Sequence, residues 1–112
     1  MYKRQVILDT PRWSGGSTSF EAAAAGKVVV TLPGEFMRGR FTMGLYRHMG
    51  LDDLVANSPR EYVELAVRLG TDRAERARQE ARLRERSHHL FNNCETIDTH
   101  QRFLKQVCPS VP

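Results

Sequence analysis

Two short apolar runs with a helix-forming segment between them constrain the fold of this chain more than any other feature. Residues 5–8 form an apolar run that Asp9-Thr10-Pro11 ends, and residues 27–32 are rich in β-branched side chains. Both runs predict buried strands. Between them, the alanine-rich segment 18–25 predicts a short helix that Gly26 ends. Because the links are short, the sequence predicts a βαβ unit with parallel strands and a right-handed crossover.

The link between the first strand and the helix is rich in glycine and hydroxyl side chains. It reads Ser14-Gly15-Gly16-Ser17-Thr18 and predicts a turn that leads into the first turn of the helix. Free backbone N–H groups and the positive end of the helix dipole suit a phosphate there. Glu21 follows Thr18 by three residues, so on a helix it shares that face and is placed to accept a hydrogen bond from a sugar hydroxyl. The segment suggests a nucleotide-sugar site, and an ordinary turn with Ser17 or Thr18 as the helix N-cap is the alternative that stays open.

Two well-known phosphate motifs do not fit this turn. A P-loop requires G-x-x-x-x-G-K-[ST], but Val28 follows Gly26-Lys27 and position 21 is a glutamate. The dinucleotide fingerprint G-x-G-x-x-G does not match the spacing of Gly15-Gly16-Ser17-Thr18 either. A plainer anion site at a helix N-terminus remains.

Polar and aromatic residues near the turn leave two further questions open. Arg40 follows the second strand, and open α/β sheets bind ligands at the carboxyl ends of their strands. Arg40 therefore either faces the cleft or pairs with a carboxylate. Trp13, beside the turn, contacts either the loop or a sugar, and we expect it to pack against the loop.

After Gly50 the sequence predicts only helices. Residues 37–49 predict one helix before this point, and Ser58-Pro59-Arg60-Glu61 is a capping box that predicts the start of another, which Gly70 ends. Two strands are too few for an independent sheet, so the chain is typical of the second half of an α/β domain. We expect a βαβ part at residues 1–50 and a helical part at residues 51–112. An uncovered sheet edge predicts self-association.

The two remaining helices differ in their apolar content. The first, over residues 72–87, is predicted to begin at Thr71 as its N-cap and to lie on the surface, since Leu83 is its only large apolar residue. The last, over residues 95–107, is predicted to turn three apolar side chains toward the core. These are Phe103, Leu104 and Val107.

Composition excludes several classes of function. The net charge of +4 is modest, and the arginine-rich helix at residues 72–86 lacks the interleaved aromatic residues of a single-strand nucleic-acid surface, so we expect no nucleic acid partner. The longest apolar run is far shorter than the roughly 20 residues of a membrane span, so no membrane partner is expected. Cys94 and Cys108 do not form a C-x-x-C motif and no secretory leader is evident, which favours a reduced, cytoplasmic location. His88-His89 lack spaced ligands, so we expect no metal site.

The order and spacing of these segments resemble the protein O-linked N-acetylglucosamine transferase family, including its SPINDLY-type bacterial members. The resemblance begins with Asp9-Thr10-Pro11, the turn at residues 14–18, and residues 21–22 and 26–35. It covers nearly the whole chain, from about residue 6 to residue 107, and continues through residues 37–40, 49–56, 58–62, 66–70 and 90–91.

The resemblance implies the fold and the reaction. It implies an α/β chain that forms the C-terminal half of a Rossmann-like nucleotide-sugar-binding domain in a GT-B enzyme, in which two such domains face each other across a cleft. Such glycosyltransferases transfer N-acetylglucosamine from UDP-GlcNAc to Ser or Thr of proteins and need no metal or other cofactor. The implied partners are therefore a UDP-sugar and a protein acceptor.

By matched position, the resemblance also assigns roles to four residues. Gly16, Ser17 and Thr18 would bind the diphosphate, and Glu21 would hold the ribose hydroxyls. The family often has His at the position of Gly16 and Thr at that of Ser17, so a side-chain donor is absent at position 16 and only its backbone donor remains. Family contacts to uracil and groups that approach the donor lie upstream of Asp9, so no catalytic residue is assigned. This chain would hold half of a donor site and be inactive alone. A truncated, non-catalytic binding or interaction module is the alternative.

Overall fold

A computed structural model of the chain describes residues 5–108. Within these residues, two short strands and five α-helices follow one another in the order β1, α1, β2, α2, α3, α4 and α5. Their bounds are β1 Ile7–Leu8, α1 Ser17–Ala24, β2 Val29–Val30, α2 Phe41–Met49, α3 Pro59–Thr71, α4 Arg73–Arg86 and α5 Cys94–Val107. The predicted α/β class, with short parallel strands followed by several helices, is confirmed. The division at residue 50 stays a prediction, and its outer ends, residues 1–4 and 109–112, lie outside the described residues.

The two strands pair in parallel, as the βαβ prediction requires. Ile7 lies opposite Val29, and the Ile7 N–H donates to the Val28 carbonyl at 3.0 Å. Both strands are shorter than predicted, and the predicted burial is confirmed for β2 but wrong for β1, in which Ile7 is half-buried and Leu8 is exposed. Thr31, which directly follows β2, forms a parallel β-bridge with Val55. This pairing was not predicted from the sequence. A third segment therefore touches the sheet without forming a regular strand.

The core lies between this small sheet and the helices. Tyr46 of α2 is 2% exposed, and its hydroxyl both donates to the Val29 carbonyl at 2.7 Å and accepts from the Val29 N–H at 2.8 Å. Burial raises the pKa of this phenol far above its ordinary value. One side chain thereby satisfies both backbone groups of a buried strand residue. Large side chains that are completely buried complete the core: Leu51, Leu54, Leu69 and Leu83.

The single helix predicted over residues 37–49 is interrupted. A 3-10 turn at Met37–Gly39 precedes α2, and Arg40 between them has non-helical angles, φ −129° and ψ 6°. The Gly34 N–H donates to the Gly39 carbonyl at 3.0 Å, and a Cβ built on Gly39 would lie 2.9 Å from the Pro11 carbonyl oxygen. This close packing against another loop, which no local pattern records, divides the helix.

The junction between α3 and α4 lies one residue beyond its predicted position. The Ser58 side chain caps α3 as predicted, accepting from the Glu61 N–H at 3.1 Å. However, α3 continues through Gly70 to Thr71, and Asp72 caps α4 by accepting from the Glu75 N–H at 2.9 Å. Thr71 as the cap of α4 is therefore wrong, because the Thr71 hydroxyl donates instead to the Val67 carbonyl inside α3.

Two helices differ from the predicted pattern of burial. Most of α4 is exposed, but Leu83 and Gln79 are buried because α4 packs against α1 and α3. The inward orientation predicted for α5 is wrong in this chain, since Phe103, Leu104 and Val107 are all more than half exposed. The amphipathic pattern of α5 is real, but in the part of the chain that the structure describes no residue of α5 is buried. Within residues 5–108, no helix combines the length and apolar character that crossing a membrane requires.

Candidate functional site

The glycine-rich turn between β1 and α1 is held by a buried carboxylate. Asp9, directly after β1, is 6% exposed. Its Oδ1 accepts from the Gly15 N–H at 2.8 Å, and its Oδ2 accepts from the Ser14 and Thr31 hydroxyls at 2.6 and 2.7 Å. From the sequence, Asp9 was interpreted as the end of a strand and as part of the family resemblance, and no role in holding the turn was predicted for it. An aspartate that directly follows a strand and precedes a Ser-Gly pair was the available signal.

The same network ties the turn to α2. The Thr42 N–H donates to Ser14 Oγ at 3.0 Å, and the Thr42 hydroxyl lies 2.9 Å from the Ser14 hydroxyl and 2.8 Å from the Ser19 hydroxyl. The Ser14 N–H donates to the Arg38 carbonyl at 2.8 Å. The turn therefore has fixed partners on α1, on α2 and at Thr31 directly after β2, which preorganises its backbone.

A further contact joins the turn to α3. The Tyr62 hydroxyl donates to the Asp9 carbonyl oxygen at 2.8 Å. Burial, with the nearby Asp9 carboxylate, raises the pKa of Tyr62. Both main-chain polar groups of Asp9 are thus satisfied, since its N–H donates to the Val30 carbonyl at 2.9 Å.

The helix that follows the turn begins without a side-chain cap. Gly16 is its N-cap, and no side chain of the described residues accepts a capping hydrogen bond there. The Ser19 N–H donates to the Gly16 carbonyl at 3.0 Å, so the amides of Ser17 and Thr18 precede the first bond of the helix. The alternative that Ser17 or Thr18 is the N-cap is therefore wrong. Uncapped amides at the positive end of a helix favour an anion.

The two glycines of the turn have different structural roles. A Cβ built on Gly15 would lie 2.6 Å from Ser19 Oγ and 2.7 Å from Thr18 Oγ1, so this position is crowded. A Cβ on Gly16 would meet nothing within 4 Å. Open space beside Gly16 leaves room for a ligand to approach the backbone closely.

An open cleft of about 360 Å³ lies beside this helix start. Its wall consists of the end of β1, the turn and the first residues of α1, with one side chain from β2. Of the predicted site residues, Gly16 and Thr18 line the cleft, whereas Ser17 and Glu21 are exposed on α1 and do not line it. Arg40 is exposed, lies outside this lining and forms no ion pair with a carboxylate among residues 5–108.

Trp13 stands in the wall of the cleft and is 70% exposed. The Thr10 hydroxyl donates to its carbonyl oxygen. Because the indole is so exposed, the expected packing of Trp13 against the loop is wrong.

A second cleft, of about 350 Å³, is lined by Pro11 and Arg12, which lie in the chain between Thr10 and Trp13 of the first cleft. The Arg38 guanidinium lies 4.6 Å from the centre of the Phe36 ring in its wall, a cation–π contact. In the described part of the chain, no group of three or more His, Cys, Asp or Glu side chains is arranged to hold a metal ion. A reaction without metal or cofactor stays a prediction.

Comparisons with known proteins point to one glycosyltransferase family. The profile of glycosyl transferase family 41 matches residues 3–100. A Caenorhabditis elegans protein named UDP-N-acetylglucosamine--peptide N-acetylglucosaminyltransferase is 40% identical over 67 residues, which are 60% of this chain and 6% of that protein. A Solanum lycopersicum protein, a probable transferase of the same name called SPINDLY, is 34% identical over 67 residues, which are 60% of this chain and 7% of that protein.

A solved structure is also similar. It is a mutant of the Thermobaculum terrenum O-GlcNAc transferase, with a TM-score of 0.79 and 36% identity, and the match covers 93% of this chain and 21% of that one. The chain thus spans a small part of its relatives. Since the family profile extends over most of the chain and the structural match over nearly all of it, the resemblance seen in the sequence is confirmed, and the chain belongs to glycosyl transferase family 41.

Proposed function

We propose that this chain forms the diphosphate- and ribose-binding half of the donor site in an enzyme that transfers N-acetylglucosamine from UDP-GlcNAc to Ser or Thr of proteins. The observation that carries this proposal is the uncapped start of α1, at Gly16, on a turn that the buried Asp9 holds in place. The names of the C. elegans and tomato relatives support the donor and the acceptor class.

The proposed chemistry follows from the donors at this helix start. As the bond between sugar and phosphate breaks, negative charge develops on UDP. The amides of Gly16, Ser17 and Thr18, with the Ser17 and Thr18 hydroxyls, stabilise that charge, and Glu21 holds the ribose hydroxyls. Donors that are already in position need no reorganisation during the reaction, and removal of one such donor typically lowers a rate by about 10²–10³-fold.

The chain supplies only part of such an enzyme. It corresponds to 21% of the similar transferase structure, and none of its residues is assigned a catalytic role. We therefore expect this chain to bind a UDP-sugar weakly and not to transfer the sugar alone.

Titration of UDP and of UDP-GlcNAc into the purified chain, followed by calorimetry and by NMR, tests the proposal. We expect saturable binding that Thr18→Ala and Glu21→Ala each weaken. Matched controls are Thr99→Ala and Glu95→Ala on α5, whose residues do not line the cleft. Absence of any shift at millimolar UDP, or equal weakening by the control variants, would contradict the proposed site.

A non-catalytic interaction module is the second candidate, and the exposed apolar face of α5 favours it. Ile97 and Leu104 on this face are 64% and 56% exposed, and Leu8 on β1 is 57% exposed beside the open sheet edge. Sedimentation at several concentrations distinguishes the candidates. Self-association that Leu104→Glu abolishes, in a chain that binds no nucleotide, favours the module.

A further inference from the structure

We propose that Trp13 forms the wall of a sugar subsite, in which its indole stacks against the hexose ring of the bound nucleotide sugar. This inference rests on the proposed function of the turn. It goes further because it names a residue that contacts the sugar itself rather than the diphosphate or the ribose.

The first support is the exposure of the indole. Trp13 is 70% exposed and lines the same cleft as Gly16 and Thr18. A large aromatic side chain left open to water retains apolar area that a ligand can cover, and burial of such area is favourable. Two other exposed aromatic residues have aromatic or cationic neighbours: Phe20 packs edge-on against Phe91, and Phe36 lies under Arg38.

The second support is the rigidity of the backbone that carries the indole. The Thr10 hydroxyl donates to the Trp13 carbonyl. The next residue, Ser14, is 3% exposed and belongs to the buried network of Asp9 and Thr42. The Trp13 backbone is therefore held between fixed hydrogen bonds. A tryptophan has only two side-chain torsions, so ordering the indole on a ligand has a low entropic cost.

The third support is the position of Trp13 relative to the proposed ribose contact. Glu21 lies on α1 beyond the helix start and does not line the cleft, whereas Trp13 precedes the helix start and does. The ribose and the hexose of a nucleotide sugar are attached to opposite ends of the diphosphate. With the diphosphate on the amides of residues 16–18 and the ribose at Glu21, the hexose would therefore extend toward the cleft. The C–H groups on one face of a pyranose ring form an apolar surface that fits a flat indole.

The chain offers a direct reporter, because Trp13 is its only tryptophan. We would titrate UDP and UDP-GlcNAc into the full chain and record the indole emission, with calorimetry to measure binding independently. We expect UDP-GlcNAc to shift the emission to shorter wavelength in a saturable manner. UDP should bind with little change in emission, since it lacks the hexose.

Substitutions then separate stacking from a structural role. We expect Trp13→Ala to lower the affinity for UDP-GlcNAc about tenfold, which corresponds to about 1.4 kcal/mol, and to change the affinity for UDP by less than about twofold. Trp13→Phe should restore part of the loss because it keeps an aromatic ring. The matched control is Phe36→Ala, an aromatic residue that is 57% exposed and does not line this cleft. Thermal unfolding by circular dichroism checks that each variant folds.

The outcomes distinguish this inference from the proposed function. If Trp13→Ala weakens UDP and UDP-GlcNAc equally, or if both ligands shift the emission equally, the indole contacts the nucleoside or only supports the turn, and the inference is overturned. If calorimetry detects UDP-GlcNAc binding but neither the emission nor the Trp13→Ala affinity changes, the sugar subsite lies elsewhere. If neither nucleotide binds, the proposed function fails and this inference fails with it.

Discussion

Removal of the Asp9 carboxylate should destabilise the fold as well as the site. Asp9→Ala takes an acceptor away from three donors: the Gly15 N–H and the hydroxyls of Ser14 and Thr31. The Ser14 hydroxyl keeps an alternative acceptor, because Thr42 Oγ1 lies 2.9 Å away. Two donors therefore lose their partner, one of them on Thr31, which is completely buried.

The expected magnitude follows from these two donors. A buried donor without a partner costs about 1–3 kcal/mol, so the free energy of unfolding should fall by about 2–5 kcal/mol. The half-buried Gly15 N–H can be reached by water, which favours the lower half of this range. The free energy of unfolding of a domain is typically about 5–15 kcal/mol, so the expected loss is a large fraction of the total stability.

Urea unfolding followed by far-UV circular dichroism measures this loss. Thr31→Val, which removes one donor to the carboxylate, should cost about 1–2 kcal/mol by itself. The double variant Asp9→Ala/Thr31→Val should cost less than the sum of the single variants, since the valine leaves no orphan hydroxyl. A coupling of about 0.5–3 kcal/mol is typical of residues in contact.

The matched control is Asp52→Ala, because this carboxylate is 71% exposed and contacts Arg47 only at 3.9 Å. It should change stability by less than about 1 kcal/mol. If Asp9→Ala costs no more than the control, or if the effects of the Asp9 and Thr31 substitutions are additive, the Asp9 network does not hold the turn.

Three further changes test the core and the surface electrostatics. Tyr46→Phe leaves the N–H and carbonyl of Val29 without their partner and should lower the free energy of unfolding by about 1–3 kcal/mol in urea; an unchanged midpoint would contradict it. Leu83→Ala should cost about 2–5 kcal/mol although α4 is mostly polar, because Leu83 is fully buried; a thermal shift no larger than that of a surface variant would show that α4 is not docked. Burial alone would raise the pKa of Asp53, but its hydrogen bond and ion pair with Arg82 outweigh this and lower it. Asp53 therefore contributes to the free energy of unfolding above its unfolded pKa of about 3.9, and this contribution is lost as pH falls through the lower pKa of the folded state. Asp53→Asn should lower the free energy of unfolding at neutral pH and make it decline less steeply in acid. Identical pH profiles of the two proteins would refute this.

Local signals in the sequence predicted most of the elements correctly. Gly26 follows α1 with φ 64° and Gly50 follows α2 with φ 67°, both in the left-handed region that favours glycine. The Ser58 cap formed where the capping box predicted it. These features depend on contacts within about four residues, which a sequence displays directly.

Most of the features that were missed depend on distant residues. The break before α2 arises from the packing of Gly39 against Pro11, and the burial of Gln79 and Leu83 arises from the packing of α4 on α1 and α3. The apolar stripe of α5 is present in the sequence, but a stripe shows only that a helix has an apolar face and not what covers it.

The candidate site shows the same division. The sequence by itself determined that a glycine-rich turn leads into a helix start, because this is a property of adjacent residues, but it left open whether Ser17 or Thr18 caps that start. Only the tertiary structure decided that Asp9 anchors this turn through Thr31, 22 residues away, and that Trp13 faces an open cleft. Hydrogen bonds between distant segments and exposure to water depend on how the chain packs, which no short pattern records.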